Sequence, residues 1–216
     1  MRTLSVIGLV MTVGAGAVAC GSGTEESEES PYVGAGEVCG GVFSGPLEKT
    51  LETVTGATSF DRSDGKGLDR VAEAVRKGHE SGRSWATGAD LCVLGAEGAG
   101  HRDDIKINFS LYAPQDLGDT QLRGGARMFS MGKEATAGPV GARINFECVS
   151  PQLDGSKDRP ARIKGGFGNA KDRGPAPENL AANLTLAHAA SLAVAEKLGC
   201  EDSGGLPKKP DLRPLP

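Results

Sequence analysis

The chain has 216 residues, a net charge of −4, 33 glycines and only 4% aromatic residues, with Trp85 the single tryptophan. So small an acidic excess argues for neither nucleic acid nor an anionic membrane surface as a general partner. Few aromatic rings leave few platforms for stacking bases or sugars, and few large apolar side chains remain to line a carrier's pocket.

The chain opens Met1-Arg2, runs through an apolar stretch from Leu4 to Val13 and reaches Ala17-Val18-Ala19-Cys20. One positive charge, a short apolar run and small residues before a cut are the parts of a secretory signal, here residues 1–19. The run is too short and glycine-broken for a typical spanning helix, which needs about 20 apolar residues. With Cys20 placed directly after it, the segment resembles a bacterial lipobox. That resemblance implies a diacylated Cys20 as mature N-terminus, anchoring the protein to the extracytoplasmic face of the cell membrane. Ala17-Val18-Ala19 is also an A-x-A site, so plain secretion from the same cut stays open. The cysteine count favours the anchor. Five cysteines leave one over in a secreted chain, and lipidation of Cys20 leaves an even set: Cys39, Cys92, Cys148 and Cys200.

Those four allow three pairings, and sequence alone does not choose among them. Cys39–Cys92 with Cys148–Cys200 is favoured, because each bond closes one half of the chain. A glycine-rich, aromatic-poor core needs such staples in an oxidising compartment. A metal site is not expected: no pair has CxxC spacing, and His79, His101 and His188 are scattered. No cofactor motif is present either.

Residues 20–37, with Glu25, Glu26, Glu28 and Glu29 among serines, read as a lipid-anchored disordered stalk. A single domain is expected over 38–200. Within it, Leu47, Leu51 and Val54 after Ser44 and Pro46 predict a first helix. Leu68, Val71, Ala72 and Val75 give the stripe of an amphipathic second helix. The period then changes to two. Ile105, Ile107, Phe109 and Leu111 alternate with Lys106, Asn108, Ser110 and Tyr112, and Ala142, Ile144, Phe146 and Cys148 do the same. Shorter strand candidates are Leu91–Leu94, Arg127–Met131 and Ala161–Phe167. Pro177 and Gly199 bracket a long helix, nearly uncharged from Leu180 to Ala195 and therefore largely buried. Residues 201–216 end in proline-rich sequence and read as a disordered tail. Helices, then strands, then a long helix predict an α+β fold: an antiparallel sheet with helices packed on one face, stapled by disulfides.

The lipobox, Val38-Cys39-Gly40-Gly41, Phe146-Glu147-Cys148 and the Leu184-Thr185-Leu186-Ala187-His188…Leu198-Gly199-Cys200 segment together resemble small secreted lipoproteins of actinobacteria, mostly of unknown function. The resemblance implies location and disulfides, and carries over no active site.

Chemical motifs are sparse. Ser130-Met131-Gly132-Lys133 matches S-x-x-K, in which a lysine activates a serine, but no Lys-Thr-Gly completes such a site. Asp61 to Asp69 is oxygen-rich, yet Lys66 and Ala72 stand where a calcium loop needs glycine and glutamate, so a turn with Asp capping the next helix is expected. His101 sits in a polar turn and His188 in the buried helix. One electrostatic asymmetry stands out. Residues 121–173 hold ten Lys/Arg against five Asp/Glu, and Arg159, Arg162, Lys164, Lys171 and Arg173 lie close together around a strand candidate. These five form the candidate binding face, suited to an anionic envelope polymer or an acidic protein. The expected role is a non-enzymatic binding module at the cell envelope. The alternatives are an envelope enzyme around Ser130 and Lys133, or a small-molecule carrier.

Overall fold

The computed structural model describes residues 30–83, 88–100, 104–118, 122, 124–169 and 171–216. The signal segment, Cys20, Trp85 and His101 lie outside them.

Six strands form one antiparallel sheet in the order β3-β4-β8-β7-β6-β5. They are β3 (Ala89–Leu94), β4 (Ile105–Leu111), β5 (Arg127–Phe129), β6 (Glu134–Gly138), β7 (Gly141–Cys148) and β8 (Ala161–Gly168). A two-stranded ribbon, β1 (Tyr32–Gly34) with β2 (Ser59–Asp61), stands beside it and bridges from Phe60 to Ala96 just past β3. The helices are α1 (Pro46–Thr55), α2 (Gly67–Glu80) and α3 (Pro177–Leu198). Helix α3 lies across β6, β7 and β8, α2 packs on β3 and β4, and both α1 and α2 contact α3.

The alternation explains the layering. Successive side chains on a strand point to opposite faces, so Ile105, Ile107, Phe109 and Leu111 of β4 share the helix face with Ile163 and Phe167 of β8 and Ile144 and Phe146 of β7. All of them are buried. Gly165 lets α3 come close: a Cβ there would stand 2.7 Å from Ser191 Oγ and 2.6 Å from the Phe109 ring. The α+β architecture is therefore the one the sequence pattern predicts.

Disulfides join Cys39 to Cys92 and Cys148 to Cys200. The first ties the turn at 38–41 to β3, and the second ties the end of β7 to the segment leaving α3. Separations of 53 and 52 residues correspond to about 4 kcal/mol each of restricted unfolded-chain entropy.

Three segments depart from the sequence expectation. Residues 30–37, assigned by composition to the stalk, include strand β1. Strand β6 lies outside the expected strand candidates, and Glu134-Ala135-Thr136-Ala137-Gly138 is small enough to lie flat under α3. The expected disordered tail is also placed. Leu206 is buried, His188 Nε2 donates to the Pro207 carbonyl at 2.7 Å, and the Leu215 amide donates to the Met128 carbonyl at 2.7 Å on the outer edge of β5. The tail so covers a sheet edge that would otherwise expose unpaired backbone groups. Among the described residues, no helix is long and apolar enough to cross a membrane.

Candidate binding site

The face of the sheet opposite the helices is polar. Register places Ser110, Lys164 and Asn145 side by side across β4, β8 and β7, with Asn108, Gly166 and Arg143 on the next rung. Asp90 and Val93 continue this face on β3, Lys106 on β4, and Glu134 and Thr136 on β6. Gly166 has no side chain to displace Asn108, whose Oδ1 would meet a Cβ at 2.7 Å. Lys164 is half-buried and has no ion-pair partner among the described residues. Glu147, by contrast, binds two cations: Lys133 Nζ at 2.9 Å and Arg162 Nε at 3.6 Å.

Part of this face is covered at Gly118 and Leu122. The Gly118 amide donates to the Glu134 carboxylate at 2.8 Å, and Leu122 borders a groove whose floor includes Thr136 and Arg143. Glu134, Thr136 and Asn145 are consequently buried although they belong to the polar face. The β8 and β4 side stays open.

At the end of the sheet where β4 finishes and β8 begins, the polar face runs into a small cleft of about 50 Å³ against the C-terminal end of α2. Arg83, Arg159 and Arg162 line it with His79, Gly82 and Tyr112. Arg159 Nη2 donates to the His79 carbonyl at 3.2 Å, and His79 Nε2 donates to the Asp154 carbonyl at 2.9 Å. Gly82, at φ +67°, both turns the chain after α2 and admits the guanidinium, since Arg159 Nη1 would lie 3.3 Å from a Cβ there. The loop presenting Arg159 is tightly held. The Ser150 amide donates to Ser156 Oγ, which returns a bond to the Ser150 carbonyl, and the Cys148–Cys200 disulfide anchors its root.

Tyr112 closes this end. Its side chain is 1% exposed, and its hydroxyl has no hydrogen-bond partner among the described residues. Burial pushes the phenol up to about 12, helped by the charges of Glu147 and Glu134 and opposed by Arg162.

The five cations of the expected face are thus divided. Arg162 and Lys164 lie on the open face and Arg159 in the adjoining cleft, whereas Lys171 and Arg173 follow the far end of β8. At about 3.3 Å per residue, the strand runs on for about 13 Å beyond Lys164 and about 20 Å beyond Arg162 before it reaches that end. Arg173 rests against Gly56 at the C-terminal end of α1, and Asn169 Nδ2 donates to the Val54 carbonyl there. A cation at a helix C-terminus offsets the negative end of its dipole, which gives Arg173 a structural role. The sequence run is therefore not a single patch. Lys106, Arg143, Arg83 and Tyr112 join the site instead. The alternation of 105–112 marked Lys106 and Tyr112 as sharing one strand face, but nothing local marked Arg83 or Arg143.

Ser130 and Lys133 face different surroundings. Lys133 is engaged by Glu147, while Ser130 borders a shallow groove with Met131, Gly132, Asp202 and Leu206. In the Asp61–Asp69 segment, Asp64 accepts the Lys66 amide at 3.0 Å and pairs with Arg70, and α2 begins without a side-chain cap. That corrects the expected cap: the aspartate fixes the turn before the helix. No cluster of three metal-ligating side chains occurs among the described residues. His188 is 2% exposed, and burial lowers its pKa. No known protein family, curated protein or solved structure matches this chain.

Proposed function

We propose that this protein is a membrane-anchored extracytoplasmic lipoprotein, attached through a lipid on Cys20, that acts as a non-enzymatic binding module at the cell envelope. Its open sheet face is the binding surface, and an anionic envelope polymer or an acidic protein is the partner. The observation carrying the reading is the Ser110–Lys164 pair on the open β4 and β8 side, with the buried Asn145 next to it. Here a lysine without an ion-pair partner among the described residues stands in the middle of a six-stranded sheet, flanked by short polar side chains and glycine. Lysine placed this way draws anions and leaves room for a ligand to lie along the strands.

Connectivity supports the orientation. Residues 30–34 enter beside β2, which bridges to Ala96 beyond the end of β3, whereas the arginine cleft lies at the opposite ends of the strands. A tether at Cys20 leaves the cleft end pointing away from the membrane.

Two measurements test this. Intact mass of the protein recovered from membranes should give a chain beginning at Cys20 and carrying acyl groups, lost in Cys20→Ala. A soluble chain beginning at an unmodified Cys20 would overturn the anchor. Crosslinking in the envelope should yield a discrete adduct that Lys164→Glu abolishes, and an adduct indifferent to Lys164 would overturn the face.

A further inference from the structure

The cleft beside Tyr112 carries chemistry that a generally basic face does not require. Guanidinium groups reach it from two parts of the chain: Arg83 just after α2, and Arg159 and Arg162 around the start of β8. No Asp or Glu is among the described residues that line it. A guanidinium has five N–H donors in a planar fork. Arg159 commits one of them to the His79 carbonyl, and Arg162 meets Glu147 only at 3.6 Å through Nε. Most of their donor capacity is left for a ligand.

The end of α2 contributes carbonyls, which would repel an anion. The His79 carbonyl, however, already accepts from both the Gly82 amide at 3.1 Å and Arg159. That carbonyl is satisfied before any ligand arrives. The space, about 50 Å³, suits one compact polyatomic anion in place of a few waters. Arg159 is fixed in position by its carbonyl bond and by the Ser150–Ser156 loop, so little order remains to be imposed on binding.

We propose that this cleft binds a phosphoryl group, either free phosphate or the head of a small soluble phosphomonoester, held by Arg159 and Arg162 at the foot of the open sheet face. Forked guanidinium donors match the oxygens of a tetrahedral dianion, and charge-assisted bonds of this kind are the strong ones. The position of the cleft, at the end of the domain away from the entering chain, favours a soluble phosphate over a membrane headgroup. The inference deepens the binding reading above and rests on it, but different residues test the two.

The experiment is an amide chemical-shift titration of the full chain with inorganic phosphate and with glycerol 1-phosphate, at constant ionic strength. Saturable shifts at Gly82, Tyr112, Arg159 and Arg162 are expected. Arg159→Gln and Arg162→Gln should each weaken binding about tenfold. The charge-matched pair Lys171→Gln and Arg173→Gln should leave it within about twofold. If Arg162→Gln fails to fold, the exposed Arg159→Gln still decides. Shifts that do not saturate, that acetate reproduces, or that the far-end pair weakens equally would overturn the site. Cosedimentation with phosphatidylglycerol vesicles that requires Arg159, without a response to the small phosphates, would overturn the soluble source. Loss of phosphate binding with the Lys164-dependent envelope adduct intact would sink this inference and leave the binding face standing.

Discussion

Replacing Tyr112 by phenylalanine should make the protein more stable. The phenol oxygen is shut away from solvent in a side chain 1% exposed, and no described residue bonds it. A buried hydroxyl without a partner costs about 1–3 kcal/mol relative to water, and phenylalanine keeps the ring packing while removing that cost. We expect a gain of about 1 kcal/mol at pH 7 in urea denaturation, or roughly 2–4 °C in Tm for a domain of this size. The pH dependence gives a second signature. Below pH 10 the phenol is neutral in both folded and unfolded chains, so it contributes no slope. From pH 10 toward about 12 the unfolded chain loses the proton while the folded one keeps it. Stability therefore falls across that window in the parent. Tyr112→Phe lacks this contribution, so its advantage should widen as pH rises through the window. A variant less stable than the parent by 1 kcal/mol or more would show that the hydroxyl has a partner, and the reasoning would fail.

Removing Cys148–Cys200 by double alanine substitution should cost about 4 kcal/mol in urea melts, and loss of Cys39–Cys92 should cost a similar amount; a cost below about 1 kcal/mol would show that the bond is not a staple. Gly67→Ala should destabilise by about 1–3 kcal/mol despite alanine's helix propensity, because its Cβ would collide with the Leu91 carbonyl of β3. Gly100→Ala, with nothing within 4 Å, is the neutral control, and equal effects at the two sites would refute the packing argument. His188, whose pKa is lowered by burial, stays neutral in the fold while the unfolded chain protonates below about 6.5. Stability should therefore fall as pH drops below that value, and a stability-versus-pH profile unchanged in His188→Gln would contradict the assignment.

Much of the layering was legible because it rests on alternation. Ile105 to Leu111 and Ala142 to Cys148 each announce one apolar face, and the same residues show which positions face away from the helices. Strand order was not legible. Lys164 comes to lie between Ser110 and Asn145 only because β8 inserts between β4 and β7, a long-range pairing that leaves no local mark. Strand β6 escaped because Ala135 and Ala137 carry too little apolar surface to signal a buried face, although both are fully buried under α3. The basic segment misled for a related reason: residues close in sequence along an extended strand are far apart in space. Tyr112 showed itself as a strand position, but its burial depends on tertiary packing. The tail misled through its prolines, which forbid regular structure yet suit a segment that makes isolated bonds along an edge.

The measurement that bears most directly on the open face is site-specific photocrosslinking in intact envelopes. A photoreactive residue at Asn108 samples the open face without removing any of its cations. One at Glu73 samples the outer side of α2 and serves as the control. A discrete adduct from position 108, absent from position 73 and lost when Lys164→Glu is added, is the predicted result. Adducts of equal yield from both positions, or from position 73 alone, would contradict the assignment of the open sheet face as the binding surface.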